Sequence, residues 1–100
     1  MKLMTKEIEA KIPSLYSTDG KKQQRVYAKY FHPYSNWTWY ATEYDAEEGL
    51  FFGLVEGDEK ELGYFTLAEL ESIKIKGLGI ERDMYWNDKT TIEEVRGKYA

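Results

Sequence analysis

The chain has no cysteine, so no disulfide framework can brace it, and the absence fits a reducing compartment. It has one histidine, His32, which with no thiolate leaves the usual zinc constellations without ligands. Neither acidic loop follows the spacing of a calcium-binding loop. None of Ser14, Ser17, Ser35 or Ser72 sits in a Gly-x-Ser-x-Gly elbow. Gly77-Leu78-Gly79 lacks the third glycine of a dinucleotide fingerprint and the Gly-Lys-Ser/Thr of a phosphate loop. His32 precedes Pro33 at a strand end, where a lone histidine more often sits at a surface or edge than acts as a base. These gaps lead to the expectation of a protein that is not an enzyme and holds neither cofactor nor metal.

Long apolar runs are also missing. The opening MKLMTKEIEAKIP is interrupted by charge every few residues and holds no run of signal-peptide length. No segment approaches the roughly 18–20 apolar residues that span a bilayer. A cytoplasmic protein away from membranes is expected. No Pro/Gly/Ser-rich linker or internal repeat divides the 100 residues, which read as a single domain, 1–100.

What is present is aromatic. The chain is 16% aromatic, and most of these rings fall between Tyr27 and Phe65. Aromatic and β-branched density predicts strands at about Arg25–His32, Trp37–Tyr44, Leu50–Val55 and Glu61–Phe65. The connections are short and carry Pro, Gly, Asp or Asn, which favours hairpins and an antiparallel meander. Strict alternation puts Trp37 and Trp39 on one face, Tyr40 and Tyr44 on the other.

Helices flank the strands. Met4, Ile8 and Ile12 share a helical face after a Thr5 cap, with Pro13 as the stop. Thr66-Leu67-Ala68-Glu69 and Thr91-Ile92-Glu93-Glu94 are capping boxes. They open helices with stripes Leu67/Leu70/Ile73 and Ile92/Val95/Tyr99. Gly77 and Gly79 read as a helix stop, and Ile80 to Asp88 as irregular or briefly extended. The expected class is α+β: a four-stranded antiparallel meander sheet with one N-terminal and two C-terminal short helices. The helices cover one sheet face, and the other is left to expose rings.

Charge is segregated. Residues 41–72 hold ten acids against one base, Lys60, while residues 1–40 hold seven bases against three acids. The two acidic loops lie at opposite ends of the meander. Acids here keep hairpin loops solvated, or they offer a negative surface to a basic partner protein, which complementary potential would steer. The candidate partner-binding residues are Trp37, Tyr40, Glu43, Asp45, Glu47, Glu48, Glu56, Asp58, Glu59 and Glu61. The same charge argues against direct nucleic-acid binding, which draws on clustered Lys and Arg. The rival readings are a single-stranded nucleic-acid binder using the aromatic sheet face, and an uncharacterised small enzyme.

Three blocks, SNWTWYATE (35–43), FFGLVEGDEKELGYFTLAELESI (51–73) and GIERD (79–83), together resemble a small bacterial family catalogued as domain of unknown function 2958, also carried on plasmids and phages. The likeness runs from the opening residues to about Trp86. It implies a stand-alone domain living partly on mobile elements, where anti-defence genes are common, and it supplies no activity and no catalytic residue. With the charge pattern it leads to an expectation: an anti-CRISPR or antirestriction inhibitor that binds a host protein.

Overall fold

The structure, a computed structural model, describes residues 1–21 and 23–99, with side chains through 97. Helix α1 (Lys6–Lys11) begins where Thr5 Oγ1 accepts the Ile8 N–H. Strands β1 (Ala28–Phe31), β2 (Thr38–Asp45), β3 (Leu50–Glu56) and β4 (Lys60–Thr66) follow as an antiparallel meander. Thr66 then caps α2 (Leu67–Ser72), its Oγ1 accepting the Glu69 N–H. The capping box at Thr91 and Glu94 is reciprocal and starts α3 (Ile92–Tyr99). The antiparallel α+β class expected from the sequence is the one found.

Three details differ. The stretch read as one strand from Arg25 is divided: Arg25 bridges Thr91 and the Val26 N–H donates to Thr90, and only from Ala28 does the chain run along β2. Gly77 does not stop a helix, because α2 has already ended at Ser72. With Lys76 (φ 53) it forms the two-residue turn of a small hairpin, β5 (Lys74–Ile75) and β6 (Leu78–Gly79). Two successive positive φ angles match the right-handed twist of a tight hairpin. Finally, the segment read as irregular supplies β7 (Glu81–Arg82), which pairs with β1 and makes a five-stranded sheet ordered β4-β3-β2-β1-β7.

The largest departure lies inside β2. Ala41 pairs with Gly53 and Glu43 with Phe52, leaving Thr42 as the extra residue of a bulge, its hydroxyl donating to the Phe52 carbonyl. A bulge shifts the alternation by one residue. Tyr44 is thereby turned onto the same face as Trp39, against Phe51 and Phe65, and Glu43 takes the face of Tyr40.

Both faces of the sheet are covered in part. One carries the main core, with Tyr30, Trp39, Phe51, Phe65, Leu70 and Ile80 under α1 and α2. On the other, Val26, Tyr40 and Leu54 pack under Ile92 and Val95 of α3, with Trp86 alongside. The helices are therefore split between the faces, contrary to the one-sided arrangement expected. The Tyr99 ring assigned to the α3 stripe lies outside the described side chains.

Candidate interaction site at the β3–β4 hairpin

Trp37 stands at the start of β2 with 41% of its surface exposed, stacked on the buried Trp39 at 5.9 Å between ring centroids. Its six-membered ring lies over Gly57 so closely that a Cβ at that position would overlap it. A glycine in the β3–β4 turn is thus what allows the indole to lie flat on the hairpin.

Two hollows flank this ring. On one side Trp37 and Val55 meet Asp58, Glu59 and Glu61 around a volume of about 300 Å³. An aromatic face bordered by carboxylates suits a cation that is also hydrogen-bonded. On the other side Trp37 and Trp39 border an apolar hollow of about 350 Å³ with Leu70, Ile73, Ile75 and Ile80. Glu69, Ser35 and His32 complete its rim.

His32 is buried there. Its Nδ1 accepts the Tyr34 N–H at 3.0 Å, which leaves Nε2–H to donate to the Leu78 carbonyl at 2.7 Å. Both ring nitrogens are committed to holding the β5–β6 hairpin against the end of β1.

The ten residues singled out from the sequence separate into four groups. Tyr40 (2% exposed) and Glu43 (1% exposed) are interior and are withdrawn from any partner surface. Tyr40 is buried because α3 covers its face; its hydroxyl donates to Glu56 Oε1 at 3.1 Å. Glu43 is buried because the bulge turns it beneath the N-terminal loop. Glu56 is half-buried and engaged by Tyr40 and by Lys60 Nζ at 3.6 Å. Asp45, Glu47 and Glu48 belong to the β2–β3 turn at the opposite end of the meander, where Asp45 Oδ1 accepts the Glu47 N–H. Only Trp37, Asp58, Glu59 and Glu61 are brought together.

The sequence reading missed a second exposed group at the edge strand. Leu62 (44% exposed) and Tyr64 (51%) lie on the outer face of β4, with the Tyr64 ring edge-on to Phe52 at 5.1 Å and to Tyr16 at 6.4 Å. Contact with the Tyr16 hydroxyl, ahead of desolvation, raises the Tyr64 pKa above its usual 10.0. The available signal was the alternation in Leu62-Gly63-Tyr64, which puts two large side chains opposite the core-facing Phe65.

Elsewhere, a cleft of about 130 Å³ between α1 and residues 82–88 is crossed by Asp88, which pairs with Lys11 and Arg25 at 3.5 and 3.4 Å. Among the described residues no three His, Asp or Glu side chains converge as metal ligands. No helix among them is long and apolar enough to cross a membrane.

No curated protein and no solved structure matches the chain significantly. A family model does match, across residues 3–96 and so ten residues beyond Trp86, where the visible likeness ends. By that match the chain belongs to the family described as protein of unknown function DUF2958.

Proposed function

We propose that this chain is a non-enzymatic interaction domain that captures a basic segment of a partner protein at the Trp37 end of its sheet. The observation that carries the reading is the exposed indole laid on Gly57 and bordered by Asp58, Glu59 and Glu61. A partner lysine or arginine there gains the ring face and a carboxylate together, and partial desolvation strengthens both. The neighbouring apolar hollow takes a hydrophobic residue beside that cation, and aromatic anchors of this kind dominate binding energy at interfaces.

Partners that present such segments include proteins with basic nucleic-acid-binding grooves. With the resemblance to a family also carried on plasmids and phages, this favours an inhibitor of a host defence protein, of the anti-CRISPR or antirestriction kind. A nucleic-acid-binding role is less well supported. Trp39 and Tyr40 are buried, and carboxylates beside Trp37 repel phosphate.

The test is a titration of ¹⁵N-labelled protein with an arginine-rich peptide containing one leucine. The Trp37 indole N–H and the amides of residues 57–61 are expected to shift, and those of 45–49 to stay. Equal shifts at both acidic ends would reduce the interaction to nonspecific attraction, and no shift at Trp37 would end the proposal.

A further inference from the structure

The two edges of the sheet are treated differently. At β7 the N-terminal segment crosses the edge: the Arg82 N–H points at Met1 Sδ at 3.0 Å, and Arg82 Nε donates to the Lys2 carbonyl at 3.1 Å. At the other edge β4 is seven residues long, and among the described residues no strand pairs with its outer side. Long bare edges are normally shortened, bulged or covered, because their backbone groups invite another strand. This one instead carries Leu62 and Tyr64 exposed on its outer face.

The exposure is built rather than incidental. Tyr16 occupies the left-handed region (φ 67), uncommon for a residue with a large side chain, and is 61% exposed beside Tyr64. The buried Glu43 carboxylate holds it there by accepting the Tyr16 N–H at 2.8 Å. A strained residue kept in place by a buried charge, with its ring in solvent, points to a use for that ring.

We infer that β4 is a self-association edge, at which two copies of this chain pair antiparallel about a two-fold axis through Gly63. Symmetry selects the register. A two-fold axis perpendicular to the sheet keeps each face on its own side, so opposed residues must come from the same face. The axis can therefore pass through a residue of β4 but not between two. Gly63 is the middle residue of β4, so centring there pairs all seven residues of both strands. It sets Leu62 against Tyr64 of the second copy, twice, and cross-strand apolar pairs of this kind stabilise sheets. Glu61 meets Phe65 and Lys60 meets Thr66, so no like charges are opposed. The Tyr16 and Phe52 rings extend the joined patch on both sides. The product is one ten-stranded sheet.

A single edge strand with this patch is smaller than the roughly 800 Å² per partner of a standard interface. The expected dissociation constant is on the order of 10–100 µM. Because each copy carries a net charge of −4, added salt should tighten association. That is opposite to the salt response of basic-peptide capture at Trp37, so the two proposals fail separately.

The test is sedimentation equilibrium from roughly 5 to 500 µM at low and moderate salt, with hydrogen exchange at the highest concentration. Dimers are expected, tighter in salt, with alternate amides of residues 60–66 gaining protection. Leu62→Lys and, as a second variant in case the first fails to fold, Tyr64→Lys should each weaken the dimer at least tenfold. Trp37→Ala should leave it unchanged. A monomer throughout, a dimer indifferent to both β4 variants, or protection elsewhere would overturn the inference. So would a monomer whose β4 edge pairs only with a strand from a different protein.

Discussion

The carboxylate of Glu43 and the backbone of Tyr16, 27 positions apart, meet in a 2.8 Å hydrogen bond. The same carboxylate accepts from the Thr18 N–H at 3.0 Å and from the Thr18 hydroxyl. Hydrogen bonds to a charged group contribute about 1.5–3 kcal/mol each. Glu43→Ala should therefore destabilise the fold by at least about 3 kcal/mol, and Glu43→Gln by less. Hydrogen exchange should show residues 14–18 opening first in Glu43→Gln. Unchanged protection there would mean that the loop holds itself.

Trp37 and Trp39 are stacked, yet their roles diverge. Trp39→Ala removes a core ring and should cost about 3–5 kcal/mol. Trp37→Ala forfeits little more than one aromatic pair, about 1 kcal/mol. Urea melts of the two variants check this, and equal losses would put Trp37 in the core.

Alkaline pH should destabilise the protein through Tyr30. Its hydroxyl donates to the Leu3 carbonyl at 2.7 Å, and burial raises its pKa well above the usual 10.0, partly offset by Arg82. Desolvation also raises the Tyr44 pKa, with Glu9, Asp45 and Glu71 adding to it. Below pH 10 folded and unfolded chains both keep these protons and nothing differs. Above it the unfolded chain releases protons that the folded protein retains, so stability falls as pH rises. Melting temperatures from pH 8 to 11 should decline more gently in Tyr30→Phe than in the wild type; equal slopes would remove Tyr30 as the cause.

Reversing Asp58, Glu59 and Glu61 to Lys should shift the melt little, since exposed substitutions usually change stability by under about 0.5 kcal/mol. Capture of an arginine-rich peptide should be lost, and the corresponding change at Glu47 and Glu48 should preserve it. Equal loss in both variants, read by isothermal calorimetry at low salt, would reduce capture to nonspecific attraction, and no loss in either would return the acids to plain loop solvation.

The parts of this fold that were legible from sequence are those written locally. Thr5, Thr66 and Thr91 announce helix starts through their own hydroxyls, and Asp, Asn and Gly in short connections announce the meander turns. What escaped is long-range. A one-residue bulge at Thr42 leaves no mark in composition, so strict alternation misplaced Tyr44 and hid the burial of Glu43. Among ten similar acids, only the folded hairpin distinguishes the three beside Trp37. That α3 covers Tyr40 depends on Val26 and Leu54 meeting Ile92 and Val95, residues scattered across some 70 positions.

The bulge at Thr42 gives strand β2 one position at which a shorter chain can be absorbed. Removing Thr42 would join the Ala41–Gly53 and Glu43–Phe52 pairs into one unbroken ladder, and its two neighbours would keep the faces they have. Tyr44 would stay against Phe51, and the Glu43 carboxylate would stay on the face of Tyr40. The N-terminal loop would therefore keep both its anchors, the Glu43 carboxylate and the bond from the Tyr44 N–H to the Pro13 carbonyl. A one-codon deletion here should thus do less harm than Glu43→Ala, its losses being the Thr42 hydroxyl bond to the Phe52 carbonyl and the local twist of the bulge.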